Sequence, residues 1–274
     1  MNQKSDSAPA IAAFYDNTVD AFDTLFDGSI HTGYWAEGAS TLTEAQRALT
    51  DLVLDAQTIP SDGGRLLDLG CGQGGPALYA AERLGVGVFG VTLSPAQARL
   101  AKATAEDSGA SARAEFHVMD MSAMSLPDAS FDGAYAMESV FHVADKTAAF
   151  TEILRVLKPG ATLAIADYHL IRAMPEQDLA IATGALAAAP LPTLIEWLRA
   201  LEEAGFEAVE SRDLSLDVLP SAAAMRQAVV ERAESLTVVV GAEGLGLIEQ
   251  AVDQYARIYT EDQGFALFTA RKPG

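Results

Sequence analysis

The chain has 274 residues, 50% of them hydrophobic, and a formal net charge of −20 from 18 basic and 38 acidic residues. Such a length and composition predict a globular protein with a substantial core. The acidic balance argues against nucleic acid as a partner, because binding phosphates requires a basic surface.

The single cysteine, Cys71, rules out an internal disulfide and a cysteine-based metal cluster, and it favours a cytoplasmic location. The first ten residues are polar, so we expect a disordered tail without a signal peptide. The most apolar long stretch, residues 179–195, contains two prolines and does not predict a membrane span. We expect no metal and no membrane partner, and the oligomeric state stays open.

The N-terminal part predicts two helices around an aromatic loop. Helical patterns cover residues 11–26 and 43–56, and between them lies a segment that ends in Gly33-Tyr34-Trp35. Trp35 could belong to a binding site or pin this region to the core. A proline- and glycine-rich stretch, residues 60–64, then marks a boundary, so we expect residues 1–60 to form a helical cap.

A glycine-rich turn follows the first predicted strand. Residues 66–69 form an apolar run interrupted by Asp68, and the glycines after it predict a tight turn into a helix. Gly70 and Gly72 have no Cβ, so ligand atoms could lie against the main chain, next to unpaired N–H groups at the helix start. This geometry favours a cofactor of the adenosine type.

Asp68 helps to distinguish two cofactor classes. The spacing Gly70-x-Gly72-x-x-Gly75 also occurs in nicotinamide enzymes, but those carry an acidic residue about 20 positions later, at the end of the second strand. Here that strand ends in Thr92. A buried carboxylate needs donors or a cation nearby, and Asp68 suits the ammonium group of a methionine moiety better than a pyrophosphate.

Alternating strands and helices predict a parallel α/β sheet over residues 61–170. We expect strands at residues 65–69, 86–92, 113–119, 131–137 and 161–167, with helices beginning near Pro76, Pro95 and Lys146. Ligands bind at the carboxyl ends of such strands. Five polar residues should therefore converge on one rim: Asp68, Thr92, Asp120, Glu138 and Asp167.

The last part of the chain, residues 171–274, is less regular. Its patterns predict helices at residues 174–190, 192–205, 221–236 and 243–258 and strands at 206–214 and 264–271.

Five motifs, in this order along the chain, resemble the class I S-adenosylmethionine-dependent methyltransferases. They lie in residues 68–74, 90–97, 120–132, 137–142 and 154–160. The chain is most similar to small-molecule enzymes of natural-product pathways, such as the rebeccamycin-type sugar O-methyltransferases, and more distantly to tocopherol and sterol C-methyltransferases.

The resemblance implies an α/β fold with a Rossmann-like, seven-stranded methyltransferase sheet. Its strand order would be 3-2-1-4-5-7-6, with the last strand antiparallel and with an N-terminal helical cap. Residues 171–274 would supply helical lid insertions over the substrate pocket and the final strands of the same domain.

The resemblance also implies a binding site for S-adenosylmethionine. The residues concerned are Tyr15, Asp68, Gly70, Gly72, Thr92, Leu93, Gln97, Asp120, Met121 and Glu138. Thr92, Leu93 and Gln97 would replace the acid that usually holds the ribose hydroxyls. Asp120 would accept from the adenine amine, unless it caps a helix, and Glu138 would face the cofactor or brace its loop.

His142 is the expected catalytic residue, because its imidazole titrates near neutrality and could take a proton from a substrate hydroxyl. Asp167 would orient His142 or bind a substrate hydroxyl. Phe141 stands where the sugar enzymes have a second histidine, which makes the substrate pocket more apolar, and Trp35 would contribute to the floor of that pocket.

We therefore expect transfer of a methyl group to an oxygen of a small, largely apolar natural product. C-methylation of an alkene or enolate is the first alternative. In a second alternative the chain binds the cofactor as a scaffold for a reaction without methyl transfer, and a nicotinamide dehydrogenase is the least favoured.

Overall fold

A computed structural model of the chain describes residues 7–26, 28–35, 38–60, 63–176, 179 and 189–274. The described strands are β1 Arg65–Leu69, β2 Gly87–Thr92, β3 Ala114–Val118, β4 Phe131–Met137, β5 Leu157–Leu170, β6 Glu207–Asp213 and β7 Gln263–Arg271. They form one sheet in the order β3-β2-β1-β4-β5-β7-β6. β7 is antiparallel to β5 and to β6, and the strands from β3 to β5 pair in parallel. The predicted strand order and antiparallel last strand are confirmed.

The described helices are α1 Ser7–Phe26, α2 Leu42–Asp55, α3 Gly75–Leu84, α4 Pro95–Asp107, α5 Lys146–Val156, α6 Leu194–Glu203, α7 Ser215–Val218, α8 Pro220–Glu231 and α9 Ala233–Glu261. A 3₁₀ turn, Val140–His142, follows β4. Hydroxyl caps begin several helices: Thr41, Ser94 and Thr193 each accept an N–H group of the first turn of α2, α4 and α6. These residues set where the helices start.

The core has two apolar layers, one on each face of the sheet. Leu66 and Val88 belong to the layer under α2 and α3, whereas the neighbouring Leu67 and Phe89 belong to the layer with α5 and α6. Successive strand residues point to opposite faces, so both faces of the central strands are buried. Asp68 shares its face with Leu66, and its partner in the register of β4 is Tyr135.

Some predicted bounds were wrong. Helix α1 begins at Ser7 instead of residue 11, and β5 extends to Leu170 because β7 pairs with its whole second half. The helices expected at 221–236 and 243–258 divide near Arg232 instead, while Gly241, with φ 74°, breaks the second one internally. Most of the helix expected at 174–190 lies outside the described residues.

Among the described residues, one helix is long and apolar enough to cross a membrane by length and composition. It spans Ala233–Ile258, with a mean hydropathy of 1.3 and 6% of its most apolar window buried. Gly241, with a non-helical φ of 74°, interrupts this helix, and a single helix that qualifies by length and composition alone does not indicate a span. This helix is therefore weak evidence for membrane insertion.

Candidate active site

A cavity of about 430 Å³ lies at the carboxyl ends of the central strands, under α1. Ten of the site residues predicted from the sequence line it: Tyr15, Gly70, Gly72, Thr92, Leu93, Gln97, Asp120, Met121, Glu138 and His142. Asp68 lines a smaller cavity of about 30 Å³ that shares Gly70 and Gly72 with the large one. The two cavities are therefore adjacent, with the glycine turn between them.

The glycine turn requires glycine for steric reasons. Gly70 has φ 79°, a backbone conformation that costs other residues energy. A Cβ at this position would lie 2.3 Å from Cβ of Ser139. The N–H groups of Gly70 and Cys71 both donate to the carbonyl of Val91, at 2.8 and 2.9 Å, which ties the turn to the end of β2. The cavity therefore has a main-chain wall.

Asp68 is a buried carboxyl group that lacks a cation among the described residues. It is 3% exposed, and its Oδ2 accepts a hydrogen bond of 3.1 Å from the hydroxyl of Tyr135. Burial raises the pKa of Asp68 to about 7, and the Tyr135 bond opposes this only in part. A positively charged ligand in the small cavity would stabilise the ionised form.

His31 provides a second acceptor for the small cavity. It is buried, and its Nδ1 lies 2.7 Å from the carbonyl of Thr32. Burial lowers the pKa of His31 to about 4, so the ring is neutral at pH 7 and Nδ1–H donates to that carbonyl. Nε2 is then an acceptor, and it has no hydrogen-bond partner in the described part of the chain.

Gln73 provides a third acceptor. Its Nε2 donates to the carbonyl of Val19 at 2.8 Å, which orients the amide, and Oε1 is buried with no partner among the described residues. Asp68, His31 and Gln73 therefore line one small cavity with acceptor atoms. An ammonium group has three N–H donors, so this set of acceptors fits the methionine end of S-adenosylmethionine. Neither His31 nor Gln73 is among the site residues predicted from the sequence, although His31 lies in the aromatic loop and Gln73 in the glycine turn.

At the end of β2, Thr92 and Gln97 act together. The hydroxyl of Thr92 donates to Oε1 of Gln97 at 2.7 Å and accepts from the N–H group of Ser94 at 3.2 Å. This bond leaves the NH₂ of Gln97 as the donor on the side of the glycine turn, where a Cβ at Gly72 would lie 4.0 Å from it. Amide and hydroxyl groups thus occupy the place expected for an acid.

Asp16 was not predicted from the sequence, yet it holds α1 over this region. Its Oδ1 accepts from the hydroxyl of Ser94 at 2.5 Å and from the N–H group of Ala96 at 2.9 Å. These hydrogen bonds lower the pKa of Asp16, so the carboxylate is ionised at the start of α4. Nothing in the pattern of α1 distinguishes this acid from its neighbours.

On the opposite wall, Asp120 and Met121 lie side by side. Oδ1 of Asp120 accepts from the N–H group of Ser122 at 2.8 Å, so the residue stabilises its own turn while it lines the cavity. Met121 lies close enough that a Cβ at Gly70 would be 3.7 Å from its Cε. Both residues line the large cavity, and their contact with the adenine ring stays a prediction.

Glu138 braces the aromatic loop. Oε1 accepts from the N–H and hydroxyl groups of Thr32 at 2.6 and 2.7 Å, and Oε2 accepts from the hydroxyl of Tyr168 at 2.5 Å. Burial raises the pKa of Glu138 to about 7, although all three bonds oppose this. Its φ of 48° is rare outside glycine. A strained residue at this position is typical of a functional site.

His142 lies at the end of the 3₁₀ turn, against α1. Its Nε2 is 2.8 Å from the hydroxyl of Tyr15, and the two rings meet edge to face at 5.5 Å. The ring of Phe141 packs on the imidazole with a centroid distance of 3.9 Å. Burial and the charges of Glu138 and Asp167 raise the pKa of Tyr15, so the phenol is protonated at neutral pH.

Three of the predicted site residues are not in the lining of either cavity. Asp167 is fully buried and accepts from the N–H groups of Phe141 and Tyr168. Trp35 donates from Nε1 to the hydroxyl of Ser221 at 2.8 Å and from its main chain to the carbonyl of Asp217 at 2.9 Å. These contacts show that Trp35 joins the aromatic loop to α7 and α8, and substrate binding by Trp35 and Phe141 stays a prediction.

Known proteins share both the sequence and the fold. The profile of the methyltransferase domain matches residues 67–165. The 27-O-demethylrifamycin SV methyltransferase of Amycolatopsis mediterranei (strain S699) is 33% identical over 271 residues, covering 94% of this chain and 95% of that protein. The (+)-O-methylkolavelool synthase of Herpetosiphon aurantiacus is 30% identical and covers 98% and 96% of the two chains.

A solved structure extends the comparison. The structure of the [4+2]-cyclase SpnF superposes with a TM-score of 0.85 at 31% sequence identity and covers 97% of each chain. These relatives match the chain over nearly its whole length. The strand order of the sheet is the predicted one, and the glycine turn lines the cavity at the carboxyl ends of the strands. The chain therefore belongs to the class I S-adenosylmethionine-dependent methyltransferases that act on small molecules.

Proposed function

We propose that the protein methylates a hydroxyl group of an apolar natural product, with His142 as the general base. The observation that carries this proposal is the bond of 2.8 Å between Tyr15 and Nε2 of His142 at the wall of the large cavity. S-adenosylmethionine, when bound, supplies an electrophilic methyl group. The residues of the chain must then bind the acceptor, exclude water and remove one proton.

The proton route follows from which atom holds which hydrogen. Tyr15 is protonated, so its O–H can donate to Nε2 of His142, which makes Nε2 the basic nitrogen. As the acceptor hydroxyl loses its proton to the oxygen of Tyr15, Tyr15 passes its own proton to Nε2. The phenol is regenerated and the imidazole becomes an imidazolium. General bases of this kind contribute about 10² to 10⁴ in rate.

An apolar acceptor suits the apolar part of the lining of the large cavity. Ile11, Ile30, Met137 and Val143 line it together with Tyr15. Phe141 adds a buried ring behind His142. Such a lining favours terpenoid or polyketide alcohols over sugars, because sugar hydroxyls would lose hydrogen bonds to water without finding partners. The names of the two sequence relatives, a rifamycin methyltransferase and a kolavelool O-methyl product synthase, are in accord with this class.

A cytoplasmic role in secondary metabolism fits the same picture. Cys71 is buried, and burial raises the pKa of its thiol well above the ordinary value, as expected for a structural thiol in a reducing compartment.

The likeness to SpnF favours a second candidate function. That protein is named a [4+2]-cyclase, and it is 31% identical to this chain over 97% of both lengths. A similar cavity could therefore hold the cofactor while the chain promotes a [4+2] cyclisation without methyl transfer. C-methylation of an alkene or enolate remains the third candidate, with His142 or Glu138 removing a proton after transfer.

One labelling experiment separates the three candidates. S-adenosylmethionine with a carbon-13 methyl group is incubated with the protein and a metabolite extract of its source, and the products are examined by carbon NMR. We expect a labelled methyl group at an oxygen-bound chemical shift. A carbon-bound shift would replace the proposal by C-methylation, and consumption of a metabolite without label transfer would replace it by the scaffold function.

The role of His142 is tested with the acceptor found in this way. His142→Ala should lower kcat by about 10² to 10⁴ and leave the Kd for S-adenosylhomocysteine nearly unchanged. The matched control is His117→Ala, because His117 is half-exposed on β3 and pairs with Glu115. Equal kcat values for wild type and His142→Ala would exclude the base role.

A further inference from the structure

We propose that Lys146 and Asp167 act as a positioning pair that clamps the 3₁₀ turn Val140–His142 and thereby holds the imidazole of His142 against Tyr15. This inference rests on the proposed function insofar as it concerns turnover. The geometry of the turn supports it independently.

Asp167 holds the turn from the side of β5. Its Oδ2 accepts from the N–H group of Phe141 at 3.0 Å, and its Oδ1 accepts from the N–H group of Tyr168 at 2.8 Å. Asp167 is fully buried within β5, three residues before the strand ends. The residue immediately before His142 is therefore bonded to a strand of the sheet, and this bond restrains the direction in which the imidazole leaves the main chain.

Lys146 holds the turn from its other side. Its Nζ donates to the carbonyl of Val143 at 2.9 Å, and the ammonium lies 5.3 Å from the ring centroid of Trp197. The residue immediately after His142 is thus bonded as well. A third bond, 2.6 Å from the hydroxyl of Ser139 to the carbonyl of Leu69, ties the start of the turn to β1. One group of each of residues 139, 141 and 143 is thus hydrogen-bonded to the surrounding structure, and His142 between them lines the cavity.

The placement of Lys146 is unfavourable for stability alone. The residue is 8% exposed and is the first residue of α5, where the helix dipole disfavours a positive charge. Burial lowers the pKa of Lys146, whereas the carboxylate of Asp167 raises it. Burial likewise raises the pKa of Asp167, and Lys146 lowers it. The opposite charges therefore stabilise each other only in part, and apolar residues of similar volume would cost less to bury. A positioning role explains why two buried charged residues hold this turn, each by its own hydrogen bond.

The first test is a double-mutant cycle on turnover. Lys146→Met removes the ammonium but keeps the length of the side chain. We expect its kcat to fall roughly tenfold to a hundredfold, the cost of a small misplacement, with an unchanged Kd for S-adenosylhomocysteine. In the background of His142→Ala the same change should leave the residual kcat unaltered. The matched control, Lys158→Met, removes a lysine that is 46% exposed and pairs with Asp132 on the surface.

An equal fall in kcat in both backgrounds would overturn the clamp, because Lys146 would then act independently of His142. An unchanged kcat in Lys146→Met with an active His142 would overturn it as well.

The second test does not depend on the reaction. Histidine labelled with carbon-13 at Cε1 gives one NMR signal for each of the four histidines, and His142→Ala assigns that of His142. Lys146→Met should shift or broaden this signal and leave that of His117 in place. An unchanged His142 signal would overturn the clamp. A shifted signal together with normal turnover in His142→Ala would support the clamp while the base role fails.

Discussion

The two sides of the active site are built in different ways. On the cofactor side, the glycine turn and the end of β2 consist largely of main chain and short-range contacts: the turn follows β1 directly, and Thr92 bonds Gln97 five residues away. Hydrogen bonds from Tyr135 to Asp68 and from Ser94 to Asp16 then join this side to segments 67 and 78 residues away. On the acceptor side the central contacts are themselves distant, since Tyr15 meets His142 across 127 residues and Thr32 meets Glu138 across 106. The glycine turn is therefore specified mainly by its own stretch of chain, whereas the acceptor side requires the N-terminal helices and the sheet to be in place.

This contrast predicts that the smallest change on the cofactor side has the largest effect. Gly70→Ala would place a Cβ 2.3 Å from Ser139 and impose φ 79° on an L-residue. We expect cofactor affinity to fall by more than about a hundredfold, as it would for a cost of about 3 kcal/mol. Isothermal titration with S-adenosylhomocysteine measures this. Gly85→Ala, where the φ is 66° but no atom lies within 4 Å, controls for backbone strain alone.

If both variants bound the cofactor equally, the steric account of the turn would be wrong.

The pH dependence of cofactor affinity should come next in size. The pKa of Asp68 is raised to about 7 without ligand, so the carboxyl is mostly ionised at pH 8 and mostly protonated at pH 6. Only the ionised form attracts an ammonium group. The ionised fraction falls about tenfold from pH 8 to pH 6, so the affinity of the wild type should fall about tenfold as well.

Asp68→Asn keeps the shape of the side chain and removes the titration. Its affinity should be lower than that of the wild type at pH 8 and should lack this pH dependence. The same slope in wild type and variant would assign the titration to another group.

The smallest effect, a change in thermal stability, is expected where the aromatic loop contacts α7 and α8. Trp35→Phe removes the indole N–H that donates to Ser221. Loss of one such bond costs about 1 kcal/mol of unfolding free energy, which lowers the Tm by roughly 2–4 °C in a chain of this size. Calorimetry measures the Tm, and kcat for the identified acceptor should not change if Trp35 is a pin. A KM increase without loss of Tm would instead assign Trp35 to substrate binding.

The same contrast explains what could be predicted from the sequence. Local patterns predict the seven strands and the glycine turn, and the structure contains them. The same patterns predict three polar residues at the carboxyl ends of strands, and the structure places them in the cavity lining there: Thr92, Asp120 and Glu138. The roles of individual site residues stay predictions. Asp16 could not be found, because its partner Ser94 lies 78 residues away and no local pattern links them.

His31 and Gln73 illustrate a related difficulty. Their importance depends on acceptor atoms that the fold leaves buried without partners in the part of the chain that the structure describes. Residue type and spacing do not predict such an unpartnered atom, because a histidine or glutamine at an exposed position would form hydrogen bonds with water.

The burial of Cys71 has a practical consequence. It is the one cysteine of the sequence, and it is 4% exposed in the glycine turn with a raised thiol pKa. Alkylating reagents attack the thiolate, so this thiol is protected on both counts. A cysteine introduced on the exposed face of α8 or α9 would then be the sole reactive one, and a fluorophore attached there would report whether these helices move when the cofactor binds.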